Sequence, residues 1–172
     1  MTEIYSFAPI SSPAARVLIL GSMPGKRSLK IQQYYAHPQN TFWRIMATLL
    51  DFDAQQPYRA RIQHLQESGV ALWDVLATCE RQSSLDSDIV ESSIIANDFA
   101  AFFNTHPLIG HIFCNGAKAF ESFQRHVRPC SSEKSHKIPL TRLPSTSPAH
   151  AAINFQAKLA AWNVVSDFID TD

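Results

Sequence analysis

The chain alternates between short, continuous apolar runs and longer stretches with helical spacing. Val17-Leu18-Ile19-Leu20 is followed at once by Gly21, and an unbroken apolar run closed by a turn residue is the pattern of a strand buried on both faces. Val70-Ala71-Leu72-Trp73 is a second such run, and the stretch from Leu108 to Cys114 is a third. Ile138 to Leu143 makes a weaker fourth, and Pro139, which has no N–H to give a ladder, confines it to a strand start or a sheet edge. Between these runs lie helical periods. Phe42, Met46 and Leu49 recur at such spacing, as do Phe99, Phe102 and Phe103, and Phe120, Phe123 and Val127. Phe155, Leu159, Trp162, Val165 and Ile169 form the longest stripe. These aromatic stripes read as core, and Asn97-Asp98 and Pro148 read as helix starts. Strands separated by helices need crossovers, and right-handed crossovers build a parallel sheet. The expected fold is a three-layer α/β/α sandwich around a four-stranded parallel sheet. With no linker, repeat or low-complexity tract to divide it, the chain reads as a single domain over residues 1–172.

In such a sheet, functional residues gather beyond the carboxyl ends of the strands. The first strand leads into Gly21-Ser22-Met23-Pro24-Gly25-Lys26-Arg27-Ser28, the second into Asp74, the third into Asn115-Gly116. The fourth leads into Pro144-Ser145-Thr146-Ser147-Pro148-Ala149-His150. Three of the five glycines lie in these turns, where glycine brings backbone close to a ligand or adopts positive φ. The first turn is not a phosphate-binding P-loop. That motif needs four residues between its glycines and a hydroxyl directly after the lysine, whereas here three separate Gly21 from Gly25 and Arg27 follows Lys26. Further on, the stretch from Gln33 to Trp43 crowds four aromatics, a His-Pro turn and Asn40 into a short span. Aromatic rings stack on nucleobases, a contact worth about 1–3 kcal/mol per base. Asn40 either caps the helix that carries Phe42 or faces a ligand.

Charge refines this picture. Fifteen Lys+Arg balance fifteen Asp+Glu, so a uniformly basic nucleic-acid coat is excluded. The balance is uneven, however: residues 1–50 carry +4, 51–100 carry −6, 101–150 carry +4 and 151–172 carry −2. The two basic blocks hold the turns after the first and last strands, so bringing them together makes one positive face. Three cysteines without C-x-x-C spacing suggest neither a disulfide framework nor a zinc knuckle. The histidines do not cluster at ligand spacing, so no metal or cofactor is expected. No apolar run is long enough for a membrane span or shaped as a signal peptide. The reading is a cytoplasmic, soluble monomer.

The run from Gly21 through Ser22-Met23-Pro24-Gly25-Lys26-Arg27-Ser28 to Tyr34-Tyr35-Ala36-His37-Pro38-Gln39-Asn40-Thr41-Phe42-Trp43 resembles the first signature of the uracil-DNA glycosylase superfamily. It is most similar to the hypoxanthine-DNA (deoxyinosine) glycosylase branch, often called family 6. Ser145-Thr146-Ser147-Pro148-Ala149-His150 resembles the second signature, and Ala71-Leu72-Trp73-Asp74-Val75 and Phe113-Cys114-Asn115-Gly116 also resemble this branch. The resemblance implies a base-excision repair enzyme that flips a deaminated base out of DNA and hydrolyses its N-glycosidic bond. The implied partner is DNA containing such a base, with hypoxanthine the favoured lesion and no metal or cofactor. With no lysine placed in the signature positions to form a Schiff base, a monofunctional enzyme without strand cleavage is implied. The alternatives are a uracil or mixed-specificity mismatch glycosylase and a DNA- or nucleotide-binding module that has lost catalysis.

Under this resemblance Asn40 orients the attacking water, and Asp74 is the alternative catalytic group, unless it only holds a loop through backbone N–H bonds. Asn115 reads the flipped base or merely forms its turn; an amide offers both donors and an acceptor for the former role. Tyr35 or Phe42 stacks on the base, and backbone N–H groups at Ser22 and Met23 bind its oxygen. Lys26 and Arg27, with Ser145, Ser147, Pro148, Ala149 and His150, contact DNA, although His150 alternatively begins the last helix. The acidic stretch with Asp86, Asp88 and Glu91 reads as solvated surface. Three positions depart from the superfamily's pattern. Met23 replaces the asparagine that places the water in mismatch-specific relatives, Ser145 replaces a common histidine, and His150 stands where the branch commonly has asparagine.

Overall fold

The computed structural model describes residues 2–169. Its elements run β1 (Glu3–Tyr5), β2 (Val17–Gly21), α1 (Lys26–Ile31), α2 (Phe42–Leu50), α3 (Tyr58–Glu67), β3 (Val70–Asp74), β4 (Leu76–Glu80) and β5 (Ile95–Ala96). Then follow α4 (Phe99–Thr105), β6 (His111–Asn115), α5 (Ala117–Ser122), α6 (Glu133–His136), β7 (Leu140–Leu143) and α7 (Phe155–Trp162). Strands β3, β2, β6 and β7 pair in that order, every pair parallel. These are the four apolar runs, and all five residues of β2, β3 and β6 are buried. Pro139 directly precedes edge strand β7, and its carbonyl accepts from the Ile112 N–H at 2.9 Å.

The two-residue period of a strand divides the apolar side chains between two layers. Leu18 and Leu20 of β2 face a cluster with Phe99 and Phe102 of α4, Ala119 of α5 and Phe123 beyond it. Val17 and Ile19 face the other, with Phe42, Ile45 and Met46 of α2, Leu65 of α3 and Trp162 of α7. A sheet covered on both faces by helices is the expected sandwich. The chain leaving β2 passes into the second layer and the chain leaving β6 into the first. The carboxyl ends of these neighbouring strands therefore form the crevice where ligands bind in open α/β sheets.

The structure departs from the sequence reading in three places. A second, antiparallel sheet of order β1-β4-β5 flanks the first, and helix α3 carries no apolar stripe to announce it, with Leu65 its one fully buried residue. Asp98 caps α4 as expected, its carboxylate accepting from the Ala101 N–H at 3.0 Å. Pro148 and His150, however, do not start the last helix. They belong to a turn in which the His150 N–H donates to the Ser147 carbonyl, and α7 begins seven residues after Pro148, at Phe155, under an Asn154 cap.

Candidate active site

A cleft of about 1090 Å³ opens at the carboxyl edge of the parallel sheet, lined by the turn after β2, Tyr35, Asn40, Asp74, Asn115 and residues 145–150. Segments far apart in sequence meet here because Thr146, which is 1% exposed, ties them together. Its N–H donates to the Asn115 side-chain carbonyl, and its hydroxyl accepts from the Asn115 amide, each at 2.9 Å. Its own carbonyl accepts from the Thr41 N–H at 3.1 Å, holding the Asn40 segment in place. Two tryptophans anchor the segments from behind: Trp162 of α7 donates to the Pro144 carbonyl and Trp43 of α2 to the Tyr34 carbonyl, both at 2.9 Å.

The floor of the cleft is the paired ends of β2 and β3, where Gly21 stands opposite Asp74. A Cβ on Gly21 would lie 2.5 Å from Asp74 Oδ1 and 2.9 Å from the Tyr35 hydroxyl, so only hydrogen fits. Gly116 is demanded on two counts: its φ is +94°, and a Cβ there would lie 3.1 Å from Ser145 Cβ. Tyr35 holds φ at +54°, a left-handed conformation that costs an aromatic residue about 1–3 kcal/mol. Packing enforces it: the Tyr35 ring stacks on Phe42 at 4.2 Å. Phe42 itself is fully buried, so it backs Tyr35 and does not reach a base directly. Burial pushes the Asp74 carboxyl up to about 7, with the nearby Asp86 charge adding to the shift and Arg81 opposing it. Burial and the Asp74 charge also push the Tyr35 phenol up. The Asn115 amide pulls it the other way, but falls short of hydrogen-bond geometry with the hydroxyl.

Residues 84–87 form one wall of the cleft, which corrects the reading of the acidic stretch as plain solvated surface. Asp86 is largely exposed, yet its carboxylate turns inward to accept from the Ser22 hydroxyl at 2.6 Å. Glu91 leashes this wall to α5 and beyond, accepting from Lys118, from Arg125 at 3.2 Å and from His126 at 2.9 Å. Beneath the β2 turn, Arg81 is 3% exposed and donates to the Pro24 carbonyl at 2.6 Å.

The remaining expected residues sit as follows. Asn40 is half-buried at the cleft, and its Oδ1 accepts from the Phe42 N–H at 3.0 Å, so it holds the turn just before the Thr41 cap of α2 and lines the cleft at once. Asn115 spends one carbonyl lone pair and one amide N–H on Thr146, leaving one N–H and one lone pair for any ligand, which narrows the full-edge reading expected of it. Ser22 and Met23 line the cleft, Met23 as a core residue 6% exposed. Lys26 and Arg27 stand exposed at the mouth, and Pro148 and Ala149 are exposed across from them. Ser145 and Ser147 shape their own turn, accepting from the Ser147 and Ala149 N–H groups at 3.1 and 3.2 Å. His150 Nε2 is buried without a partner. Lys118 also reaches the cleft, with its amine on Glu91. Among the described residues no three His, Cys, Asp or Glu side chains gather to hold a metal, and no helix is long and apolar enough to cross a membrane.

Sequence reasoning passed over Thr146, Arg81 and Lys158. Thr146 lies inside the second signature, but nothing in its residue type marks it as the tie between segments. Lys158, 4% exposed, extends its amine to the Ser147 carbonyl at 3.4 Å; a lysine within the apolar stripe of α7 was the available signal.

The chain is similar to known proteins. Residues 8–166 match the model of the uracil DNA glycosylase superfamily. A hypoxanthine DNA glycosylase of Methanosarcina barkeri is 34% identical over 116 residues, covering 67% of this chain and 72% of that protein. Another, from Methanosarcina acetivorans, is 31% identical over 145 residues, covering 79% of this chain and 90% of that protein. The solution structure of a candidate uracil DNA glycosylase from Methanosarcina acetivorans superposes with a TM-score of 0.79 at 28% identity, covering 96% of this chain and 97% of the other. With the family model spanning nearly the whole described chain and the sandwich and cleft in place, the protein belongs to the uracil DNA glycosylase superfamily.

Proposed function

We propose that this DNA glycosylase removes deaminated bases, hypoxanthine first, and leaves an abasic site without cutting the strand. The observation that carries the reading is the meeting of Asn40, Asn115 and the 145–150 turn in one cleft. Relatives that bear the name hypoxanthine DNA glycosylase support the choice of base. So does Ser145, which stands where a histidine would favour departing uracil.

Extruding a nucleotide costs a few kcal/mol, least for a damaged or mispaired base. Lys26 and Arg27 at the mouth offset part of that cost on the phosphates, and they make binding salt-dependent. Inside, the Tyr35 ring, backed by Phe42, stacks on the base. The remaining Asn115 N–H and the backbone around Ser22 and Met23 meet its oxygen. Bond cleavage passes through an oxocarbenium-like sugar, so water needs orientation more than a strong base. Asn40, whose carbonyl oxygen keeps a second lone pair beside its bond from the Phe42 N–H, supplies that orientation through position and electrostatics. His150, with its unpartnered Nε2, meets a phosphate or the base.

The test is excision from labelled duplexes bearing hypoxanthine, uracil, xanthine or no lesion, developed with alkali. Hypoxanthine-led cleavage that depends on alkali is expected. Cleavage led by uracil refutes the specificity, strand scission without alkali refutes the monofunctional reading, and binding without abasic product refutes catalysis.

A further inference from the structure

Two polar atoms at the floor of the cleft lack partners. Asp74 Oδ2 and the Tyr35 hydroxyl oxygen are both buried without a hydrogen bond, and both groups converge on the hydrogen of Gly21. Asp74 is 3% exposed, and that remaining surface opens into the cleft. Buried polar groups are almost always satisfied, and leaving one unsatisfied costs about 1–3 kcal/mol. A fold that leaves an unpartnered carboxyl at the tip of β3, lining the cleft beside Gly21, is shaped for a polar ligand atom that arrives there.

The chemistry of that atom follows from the lesion. Adenine presents the N7 acceptor and the N6 amino donor on its outer edge. Deamination replaces the amino group with an oxygen, so on this N7/O6 edge, as distinct from the pairing edge with its N1–H donor, hypoxanthine presents two acceptors. An ionised carboxylate repels such an edge, whereas a carboxylic acid donates to it. We infer that Asp74 meets the flipped base as a neutral carboxylic acid and donates a hydrogen bond to its acceptor edge, a recognition role separate from the water held by Asn40. This rests on the glycosylase reading above. Burial at the cleft floor, which holds the carboxyl at about 7, keeps the donor present in neutral solution. The charged and titratable groups around it are Asp86 from the opposite wall, Arg81 from beneath and Tyr34 and Tyr35 from the segment before α2. His37 and His150 line the same cleft.

Asp74→Asn is the informative variant, because its amide keeps a donor at every pH. Under single-turnover conditions, hypoxanthine excision by the wild type should fall about tenfold per pH unit above the carboxyl midpoint. Asp74→Asn should stay within about tenfold of the wild type at pH 6.5 and lose that alkaline fall, while Asp74→Ala should lose about a hundredfold at pH 6.5 and likewise show no such fall. An alkaline fall unchanged in Asp74→Asn overturns the inference. Asp74→Asn as inactive as Asp74→Ala, with both folded by thermal melting and still binding duplex, overturns it as well. A 13C titration of the Asp74 carboxyl in the wild type decides the matter without turnover: a midpoint near 7 is expected, and one in the ordinary carboxylate range overturns it. A wild type inactive on every deaminated base would instead refute the functional reading, with the carboxyl titration still deciding the state of Asp74.

Discussion

A single methyl group at Gly21 tests how tightly the cleft floor is built. In Gly21→Ala the new Cβ lies 2.5 Å from Asp74 Oδ1 and 2.9 Å from the Tyr35 hydroxyl, against the roughly 3.5–4 Å that non-bonded atoms prefer. Both neighbours must retreat by about 1 Å. Asp74 cannot take its backbone along, because β3 is paired to β2 in register at this residue. Tyr35 is wedged against the fully buried Phe42 and already holds a left-handed backbone. Overpacking a buried site typically costs about 1–3 kcal/mol. The carboxylate can swing about its last bond, which places the loss at about 1–2 kcal/mol and lowers Tm by about 3–6 °C in a domain of this size. The functional loss should be larger, since about 1 Å of misplacement in a site can cost about a hundredfold in rate. Thermal melting, single-turnover excision from a hypoxanthine duplex and duplex affinity by fluorescence anisotropy measure the three quantities. The expected pattern is a modest drop in Tm, a large drop in rate and affinity within about threefold, because the phosphate contacts at the mouth are untouched. Wild-type rate and wild-type Tm together would show that the floor yields freely and would sink the argument.

Asn40→Ala removes both the turn bond to the Phe42 N–H at the start of α2 and the oriented water, so turnover should disappear and stability fall by about 1 kcal/mol, with duplex affinity spared. Asn40→Asp restores an acceptor for the Phe42 N–H, so its melting should match the wild type; a deficit equal to that of Asn40→Ala would show that this bond is not what stabilises. Thr146→Val preserves shape but strands a buried Asn115 N–H, and should destabilise by about 1–3 kcal/mol and slow excision; unchanged melting would deny Thr146 its role as a tie. Hydrogen bonds from Lys118, and then His126, hold the Glu91 carboxyl down to about 2. Because that value lies below the ordinary one, the stabilisation is present at neutral pH and drains away as pH falls from about 4.5 towards 2. The Glu91 side chain is 41% exposed, so Glu91→Gln should cost less than about 1 kcal/mol at pH 7 in urea unfolding, with a gap that closes at low pH. A gap independent of pH would disprove the linkage.

The four strands of the main sheet were legible because a parallel strand covered on both faces must be an unbroken apolar run, and Val17-Leu18-Ile19-Leu20 can be little else. Gly21 and Gly116 stood out for the same local reason, since a close approach or a positive φ excludes other residues. The antiparallel β1-β4-β5 sheet was not legible: its strands are short and half-exposed, and β4 follows β3 with only Val75 between them. Helix α3 went unseen because one buried leucine makes no stripe. Pro148 and His150 resembled a helix start, but the backbone turns on the Ser147 carbonyl first, and helix α7 waits for the Asn154 cap.

By itself the chain determined its layers, its strand ends and the residue types that stand on them, all consequences of local periodicity and turn chemistry. Tertiary structure alone decided which of those residues meet. It buried Phe42 behind Tyr35, spent half of the Asn115 amide on Thr146, brought the acidic stretch round to wall the cleft, and left Asp74 Oδ2 unpartnered at its floor. Such outcomes depend on contacts between segments more than a hundred residues apart, such as Thr41 and Thr146, and on how much water each group loses. No spacing along a single strand or helix encodes either quantity.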